Sequence, residues 1–423
     1  MLRPKLASRK PPPPRRSCTN GSVSDPHSDI LSRESMIYIR SRAYYFRRCK
    51  KKRPMPTNIE SLPTDLLFEI LLRMPADHLY ERARLVCRRW CHIIHSHAFI
   101  NAQMHGATYG LLLSPPNWII TLPRYVTADA DGGIHTSKIT HLSKSRVVAT
   151  CNGLELEAKG YQFPRLVIVN PATKQSFHLP PLPTGVNVIY AVLRYGFAYS
   201  AASLAYKVIA PYHFGQSPPR LETDSGLDVL TVGIDESWRH VEVHHLPDHF
   251  RQFLFFMDPL TSEGFVHWGR GRYCATMDVE TEIITLSEAP HQYHENNYKY
   301  LSTGRCLSLL VACGDLSWEV WEMKAETGEW RKALPNVDLG AKKCMIQQLA
   351  PKDAPRVLVP LGWVNYPQVL AFYFGEDIYH GCQWRPFIFY NLDTHKLHYI
   401  ELPQSNISEY GAFPHKNNLT WLS

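Results

Sequence analysis

Between Cys87 and His97 the chain gathers two thiols and three imidazoles: Cys87, Cys91, His92, His95 and His97. Thiolate and neutral imidazole are ligands that zinc accepts. On a helix Cys87 and Cys91 stand one turn apart, and Cys91 and His95 repeat that spacing on the same face. The same residues also fit a metal-free helix. A cysteine on an apolar face packs as a small hydrophobe, and His92 to His97 fall at a fraying helix end. No Cys-x-x-Cys pair accompanies them. The packing reading is the stronger, and neither a metal nor a cofactor is expected.

The rest of the chain offers 21 histidines but no frame for catalysis. There is no His-Glu-x-x-His, no Gly-x-Ser-x-Gly, no P-loop and no Gly-x-Gly-x-x-Gly after a strand. His244-His245 and the run His291 to His294 read as loop residues. Trp238, Trp268, Trp318, Trp321, Trp330 and Trp384 could stack on a sugar or peptide, yet their places near turns suit packing between repeats better. No catalytic residue is expected.

The elements that must position these groups fall into three stretches. From Leu62 to Phe99 apolar residues recur at helical spacing: Leu66, Leu67, Ile70 and Leu71, then 79, 83, 86/87, 90 and 94. Met74-Pro75 breaks the first helix, and Asp77 is the expected N-cap of the second. So short a unit cannot bury every apolar position against itself, and it should lean on a partner. The order Leu62-Pro63, Asp65-Leu66-Leu67, Glu69-Ile70-Leu71, a helix break, then Leu85-Val86-Cys87-Arg88-Arg89-Trp90 and Phe99 resembles an F-box. The resemblance covers roughly 57–104. It implies docking onto the Skp-type adaptor of a cullin ubiquitin ligase through Leu62, Pro63, Leu66, Leu67, Ile70, Leu71, Leu85, Val86, Cys87 and Trp90. Trp90 would be the anchor, Arg88 and Arg89 the rim, and Pro63 would suit the first helical turn.

Residues 1–56 are of another kind. They hold fifteen of the 46 Lys and Arg but three of the 38 Asp and Glu, so 31 bases and 35 acids remain for 57–423. Pro11 to Pro14 and the patch from Arg47 to Arg53 cannot build a core, which predicts a disordered tail. The patch is a candidate nuclear import signal. The mildly acidic remainder disfavours nucleic acid as a partner. Ten scattered cysteines make no disulfide framework and fit the cytosol or nucleus. No signal peptide core and no run long enough to span a membrane is present, so no membrane partner is expected.

From 105 to 423 the pattern turns to short β-rich runs, as in Leu166 to Val169, Leu227 to Val232, Gly264 to Trp268 and Val369 to Phe374. The stretch from Val188 to Ala210 reads as paired strands. A turn recurs between strands: Asn170-Pro-Ala-Thr173, Asp278-Val-Glu-Thr281, Lys324-Ala-Glu-Thr327 and Asn391-Leu-Asp-Thr394. Three copies are followed by Leu-Pro, at Leu179, Leu334 and Leu402. Looser copies are Asp235 to Trp238, ending at Leu246-Pro247, and Asp129 to Gly133. Asn or Asp starts such a turn by accepting from its own backbone two residues on. Five or six hairpins of uneven spacing predict an all-β propeller, with a pair of β-sandwiches as the alternative. Cys151-Asn-Gly-Leu154, Val169 to Thr173, Leu179-Pro-Pro181, Tyr206 to Val208, Ser237-Trp238, Gly264 to Trp268, Trp318 to Trp321 and Trp330 together resemble the kelch-like F-box-associated domain of plant F-box proteins.

The fold class expected is therefore a small helical F-box followed by an all-β propeller-like domain. The resemblance implies a substrate receptor of a Skp-cullin-F-box ligase, bound to the adaptor and through it to cullin, with an unknown target protein on the propeller. Two alternatives stay open. The propeller could sense a small molecule or glycan, or act as an enzyme, with the helices only structural. The chain could also bind the adaptor outside a ligase.

Overall fold

The computed structural model describes residues 62–115, 123–129, 131–138, 145–160, 164–183, 188–190, 194–214, 225–290, 298–333, 335–350, 357–375, 386–401 and 411–422. The tail 1–56, His291 to His294, Leu334, Trp384 and Leu402 lie outside them. The chain divides into two units between Pro63 and Thr64. Of the first, Leu62 is half-buried and Pro63 exposed.

The second unit opens with helices α1 (Thr64–Leu72), α2 (Ala76–Glu81), α3 (Arg88–Ile94) and α4 (His97–Gly106), and a single 3-10 turn, Ala83–Leu85, follows α2. Leu67, Leu71, Leu79, Ala83, Ile93, Ile94 and Phe99 are buried together. Phe68 meets Phe99 edge-on at 5.1 Å. The second helical stretch is split into α2, the 3-10 turn and α3. Pro75, with φ −57° and ψ 144°, takes the N-cap position, so Asp77 lies in the first turn of α2 instead of capping it. Proline's fixed φ starts the helix at the next residue. Cys87 is extended (φ −160°, ψ 167°) and precedes α3. That break turns Val86 away from the apolar stripe, and its side chain is exposed. Ser96 caps α4 by accepting from Phe99 N at 3.3 Å.

Everything beyond is mainly β. β1 (Tyr109–Ser114), β2 (Arg124–Ala128) and β3 (Ile134–Lys138) form three strands of one sheet. Next comes β4 (Arg146–Cys151), β5 (Leu154–Lys159), β6 (Arg165–Asn170) and β7 (Gln175–His178). β8 (Val188–Tyr190), β9 (Gly196–Ser200), β10 (Ala205–Phe214), β11 (Ser225–Thr231) and β12 (Arg239–Val241) make the following sheet, which bears out the paired strands expected from Val188. After α5 (Asp248–Phe256) come β13 (Leu260–Ser262), β14 (Phe265–Arg270), β15 (Tyr273–Asp278) and β16 (Ile284–Glu288). Then β17 (Tyr298–Ser302), β18 (Leu307–Gly314), β19 (Ser317–Lys324) and β20 (Glu329–Lys332) pair in order, with β21 (Val337–Asp338) on β19. α6 (Lys343–Leu349) leads to β22 (Leu358–Asn365), β23 (Val369–Phe374), β24 (Pro386–Asn391) and β25 (Leu397–Glu401). The last strand, β26 (Gly411–Lys416), returns to pair with β1, from Tyr109↔Lys416 to Ser114↔Gly411.

The six sheets are the blades of a propeller. Each blade's inner strand touches the next, so β26, β4, β9, β13, β17 and β22 close a ring. Closing the first blade with the last strand ties the ends of the chain together.

The repeated turn joins the third and fourth strands of a blade. Asn170 Oδ1 accepts from Ala172 N at 2.8 Å and Thr173 N at 3.1 Å. Asp278 Oδ1 accepts from Glu280 N at 2.8 Å and Thr281 N at 3.0 Å, and Asn391 Oδ1 from Thr394 N at 2.7 Å. The fifth residue is left-handed in every one of these copies: Lys174, Glu282, Gly328 and His395 have φ of 60°, 60°, 70° and 52°. The Lys324 copy lacks an Asx starter and places glycine at that position, where positive φ is unstrained. The Asp235 copy is displaced from the expected position. Its turn begins at Thr231, whose N–H donates to Asp235 Oδ2 at 2.7 Å, so Asp235 ends the turn.

The tryptophans serve packing. Trp268 and Trp318 are buried, and Trp238 donates Nε1 to Pro180 O at 3.1 Å, joining two blades. Trp321 and Trp330 are half-buried. Blades also meet where Tyr300 lies over Gly269; a Cβ there would come within 2.4 Å of the ring.

Candidate functional site

Cys91 Sγ lies 3.6 Å from His95 Nδ1, as their shared helical face requires, and the same nitrogen is 2.8 Å from Cys91 O. Cys87 precedes the helix instead of extending that face. Among the described residues no three of His, Cys, Asp and Glu converge in a way that could hold a metal.

One arrangement that the sequence motifs missed resembles a catalytic relay. Ser262 Oγ is 2.7 Å from His267 Nε2, and His267 Nδ1 is 3.0 Å from Thr276 Oγ1. It links β13, β14 and β15. Burial pulls the His267 pKa down to about 3, which keeps the ring neutral. The third member is a hydroxyl, not a carboxylate able to stabilise an imidazolium. Ser262, His267 and Thr276 are all buried. The trio satisfies polar groups inside a blade. Only a histidine within an apolar strand hints at it in the sequence. Burial also pushes the thiols of Cys151 and Cys274 up to about 12, so neither is an activated nucleophile.

The helical module presents the opposite of a closed core. Leu66 is 54%, Ile70 48%, Leu85 69% and Val86 60% exposed. Leu66 and Ile70 lie one turn apart on α1. Arg89 Nη2 donates to Thr64 Oγ1 at 2.9 Å, which holds the start of α3 beside the start of α1. Trp90 is half-buried, with its inner side against the module core, and Cys87 is also half-buried. Leu67 and Leu71 must leave the expected docking set. They are 1% and 0% exposed because their side chains form the module's own core.

Behind this face the module is bolted to the propeller. Ala172, in the Asn170 turn, and Leu419, beyond β26, belong to the module's apolar core. Leu419 N donates to Gln103 Oε1 at 3.0 Å, and Lys416 Nζ to Met104 O at 3.4 Å. Asn170 Nδ2 reaches Asn418 O at 3.2 Å and Thr420 O at 2.6 Å. Lys174 pairs with Glu81 at 2.7 Å. Nothing in the periodicity marks residues 417–420 for this task.

The family model described as the F-box domain matches residues 59–101. The chain carries an F-box domain. A putative F-box protein of Arabidopsis thaliana is 24% identical over 299 residues, 69% of this chain and 74% of the relative. Another is 22% identical over 373 residues, 84% of this chain and 91% of the relative. An Arabidopsis F-box/LRR-repeat/kelch-repeat protein is 32% identical over 122 residues, 28% of this chain and 32% of that one. The first two likenesses extend well past the F-box into the propeller.

Proposed function

We propose that the protein is the substrate-recognition subunit of a Skp-cullin-F-box ubiquitin ligase. The observation that carries this reading is the exposure of Leu66, Ile70, Leu85 and Val86 on a module whose core is already sealed. Such side chains gain about 1.5–3 kcal/mol each when fully buried, which favours a partner. The Skp-type adaptor is that partner, and half-buried Trp90 anchors the contact. The propeller holds a target protein, and ubiquitin transfer follows from bringing an acceptor lysine close to the activated ubiquitin. The chain adds no catalytic group of its own. Its setting is the cytosol or nucleus; the free thiols at all seven described cysteines favour a reducing compartment.

Copurification with a Skp-type adaptor tests the reading. The wild-type chain is expected to retain the adaptor, and Leu66→Asp with Leu85→Asp to lose it with an unchanged circular dichroism spectrum. Failure of the wild type to bind, or full binding by a folded double variant, would overturn it. Ubiquitin transfer to a captured protein, with cullin present, separates a ligase subunit from an adaptor-binding protein that works elsewhere.

A further inference from the structure

A cavity of about 260 Å³ lies where α4 of the F-box meets the propeller mouth formed by the ends of β4, β9, β13 and β26. Met104, Tyr109, Tyr199 and Pro414 give it apolar and aromatic walls. Both rings are fixed by their own neighbours. Tyr109 donates its hydroxyl to Gly304 O at 3.0 Å, and Lys416 Nζ stands 4.4 Å from its ring centre. Gly304 lets the ring come this close, since a Cβ there would be 2.3 Å from it. Tyr199 packs on buried Tyr206 with ring centres 4.8 Å apart. On the polar side, Thr150 donates to Pro414 O at 2.6 Å and Ser262 bonds His267. The Asn152 amide, on a turn residue with φ 48°, is a neutral group on the same wall. Its side chain also faces the Tyr206 hydroxyl, and an amide carries enough donors and acceptors to serve a second partner.

We propose that this cavity binds a compact, uncharged aromatic molecule with one hydrogen-bonding group, its ring against Tyr109 and Tyr199 and its polar group on Asn152. Size sets the upper limit. Ligand cavities commonly run from about 300 to 1,000 Å³, so this one suits neither a peptide nor an oligosaccharide. The two tyrosines select a flat apolar body, which stacks on them or meets them edge-on. The Met104 thioether adds a polarisable contact. Charge of either sign is disfavoured. Lys416 is 6% exposed and donates to Met104 O at 3.4 Å. Burial holds its ammonium below the usual lysine range, while Glu263 favours its charged form. An anion would meet Glu263 on the wall, and a cation would meet Lys416. The bound molecule would touch the last helix of the F-box and four blades at once, through Met104, Tyr109, Asn152, Tyr199 and Thr261. Binding would therefore tighten the joint between helices and ring.

Binding is measured on the full chain without adaptor, so the receptor reading and this one can fail separately. Isothermal titration calorimetry compares 2-naphthol, 2-naphthoate and 2-naphthylmethylammonium. The neutral 2-naphthol is expected to bind with a submillimolar Kd. Each charged analogue should bind at least about 10-fold more weakly, because it brings a like charge beside Glu263 or Lys416. Asn152→Gly removes the amide without straining a backbone at φ 48°. It should weaken 2-naphthol roughly 5-fold, the worth of one net hydrogen bond. Tyr199→Leu should weaken it about 10-fold. Tyr366→Leu, in the groove beside the cavity, should leave it unchanged. Amide exchange in α4 should slow when 2-naphthol is bound. Circular dichroism confirms that each variant is folded, and the comparison of the probes on the wild type needs no variant. No binding of 2-naphthol at millimolar concentration, equally tight binding of 2-naphthoate, or undiminished affinity in folded Tyr199→Leu would sink the proposal.

Discussion

The F-box and the propeller handle apolar surface in opposite ways. In the propeller the large aromatics go inside: Trp268, Trp363, Phe372, Phe374, Phe387 and Phe389 are all under 2% exposed. In the F-box, small core positions such as Ala76 and Ala83 are sealed while Leu66, Ile70, Leu85 and Val86 stay outside. A closed ring satisfies its own strand edges and stacks blade on blade. A few short helices cannot do this, and here they borrow Ala172 and Leu419 from the propeller to complete a core. The ring is thus closed on itself, whereas the module leaves apolar residues on its surface, which the proposed function assigns to contact with another protein.

The sharpest way to break that division is to empty the ring. Trp363 is 1% exposed and donates Nε1 to Ser308 Oγ at 2.9 Å. Trp363→Ala should cost about 3–5 kcal/mol through the cavity and the lost indole hydrogen bond, Ser308 Oγ keeping its own donation to Leu301 O. Denaturant unfolding followed by tryptophan fluorescence measures it. If the F-box leans on the ring, amide exchange in α1 and α4 accelerates with that in the blades.

The two copies of one turn test the borrowed core. Asn170 is fully buried, and its side chain serves two turn amides and two carbonyls of the segment after β26. Asn170→Ala should cost roughly 2–3 kcal/mol, because those carbonyls lose this donor in a buried site. Asp278 fills the same place in its own blade, only half-buried, and accepts from turn amides alone. Asp278→Ala should cost about 1 kcal/mol. Equal losses in the two variants would deny the Asn170 turn its role in seating the F-box.

What the sequence disclosed follows from range. The turn starters and the strand runs are local, and local backbone chemistry places them, so the Asn170, Asp278 and Asn391 hairpins and the all-β class are legible. The Asp235 turn is misplaced because Thr231 N donates backwards to the aspartate, a bond that no forward-reading turn pattern contains. The F-box stripe is legible as periodicity, but periodicity cannot say which apolar residues are core. Leu66 and Leu67 look alike in sequence, and one is 54% exposed and the other 1%. Six blades become countable only when β26 is seen to close on β1, almost the whole domain apart in sequence. The seat of the F-box on residues 417–420 is equally long-range.

A blade interior can also be told from the module by acid. His267 is neutral when folded, with its pKa lowered to about 3, but it protonates near 6.5 once unfolded. The unfolded chain then binds the extra proton between those values, so stability falls as pH drops through that window. The slope approaches roughly 1.4 kcal/mol per pH unit from this group. His267→Asn, which keeps a polar side chain between Ser262 and Thr276, should flatten the profile between about pH 6 and 4. An unchanged slope in urea unfolding at those two values would mean that other groups set the acid response.

The smallest expected effect bears most directly on the contrast. Ile70 and Leu71 are adjacent in α1, yet Ile70 is 48% exposed and Leu71 is 0% exposed. Ile70→Ser removes little buried area, so the melting midpoint should move by no more than about 0.5 kcal/mol equivalent. Leu71→Ser puts a hydroxyl into the module core and should strip protection from α1 and α4. The same Ile70→Ser change should weaken adaptor binding markedly, since the side chain would be covered in the complex. If Ile70→Ser proves as destabilising as Leu71→Ser, the exposed residues belong to the fold, and the division between a self-sufficient ring and a partner-seeking module collapses.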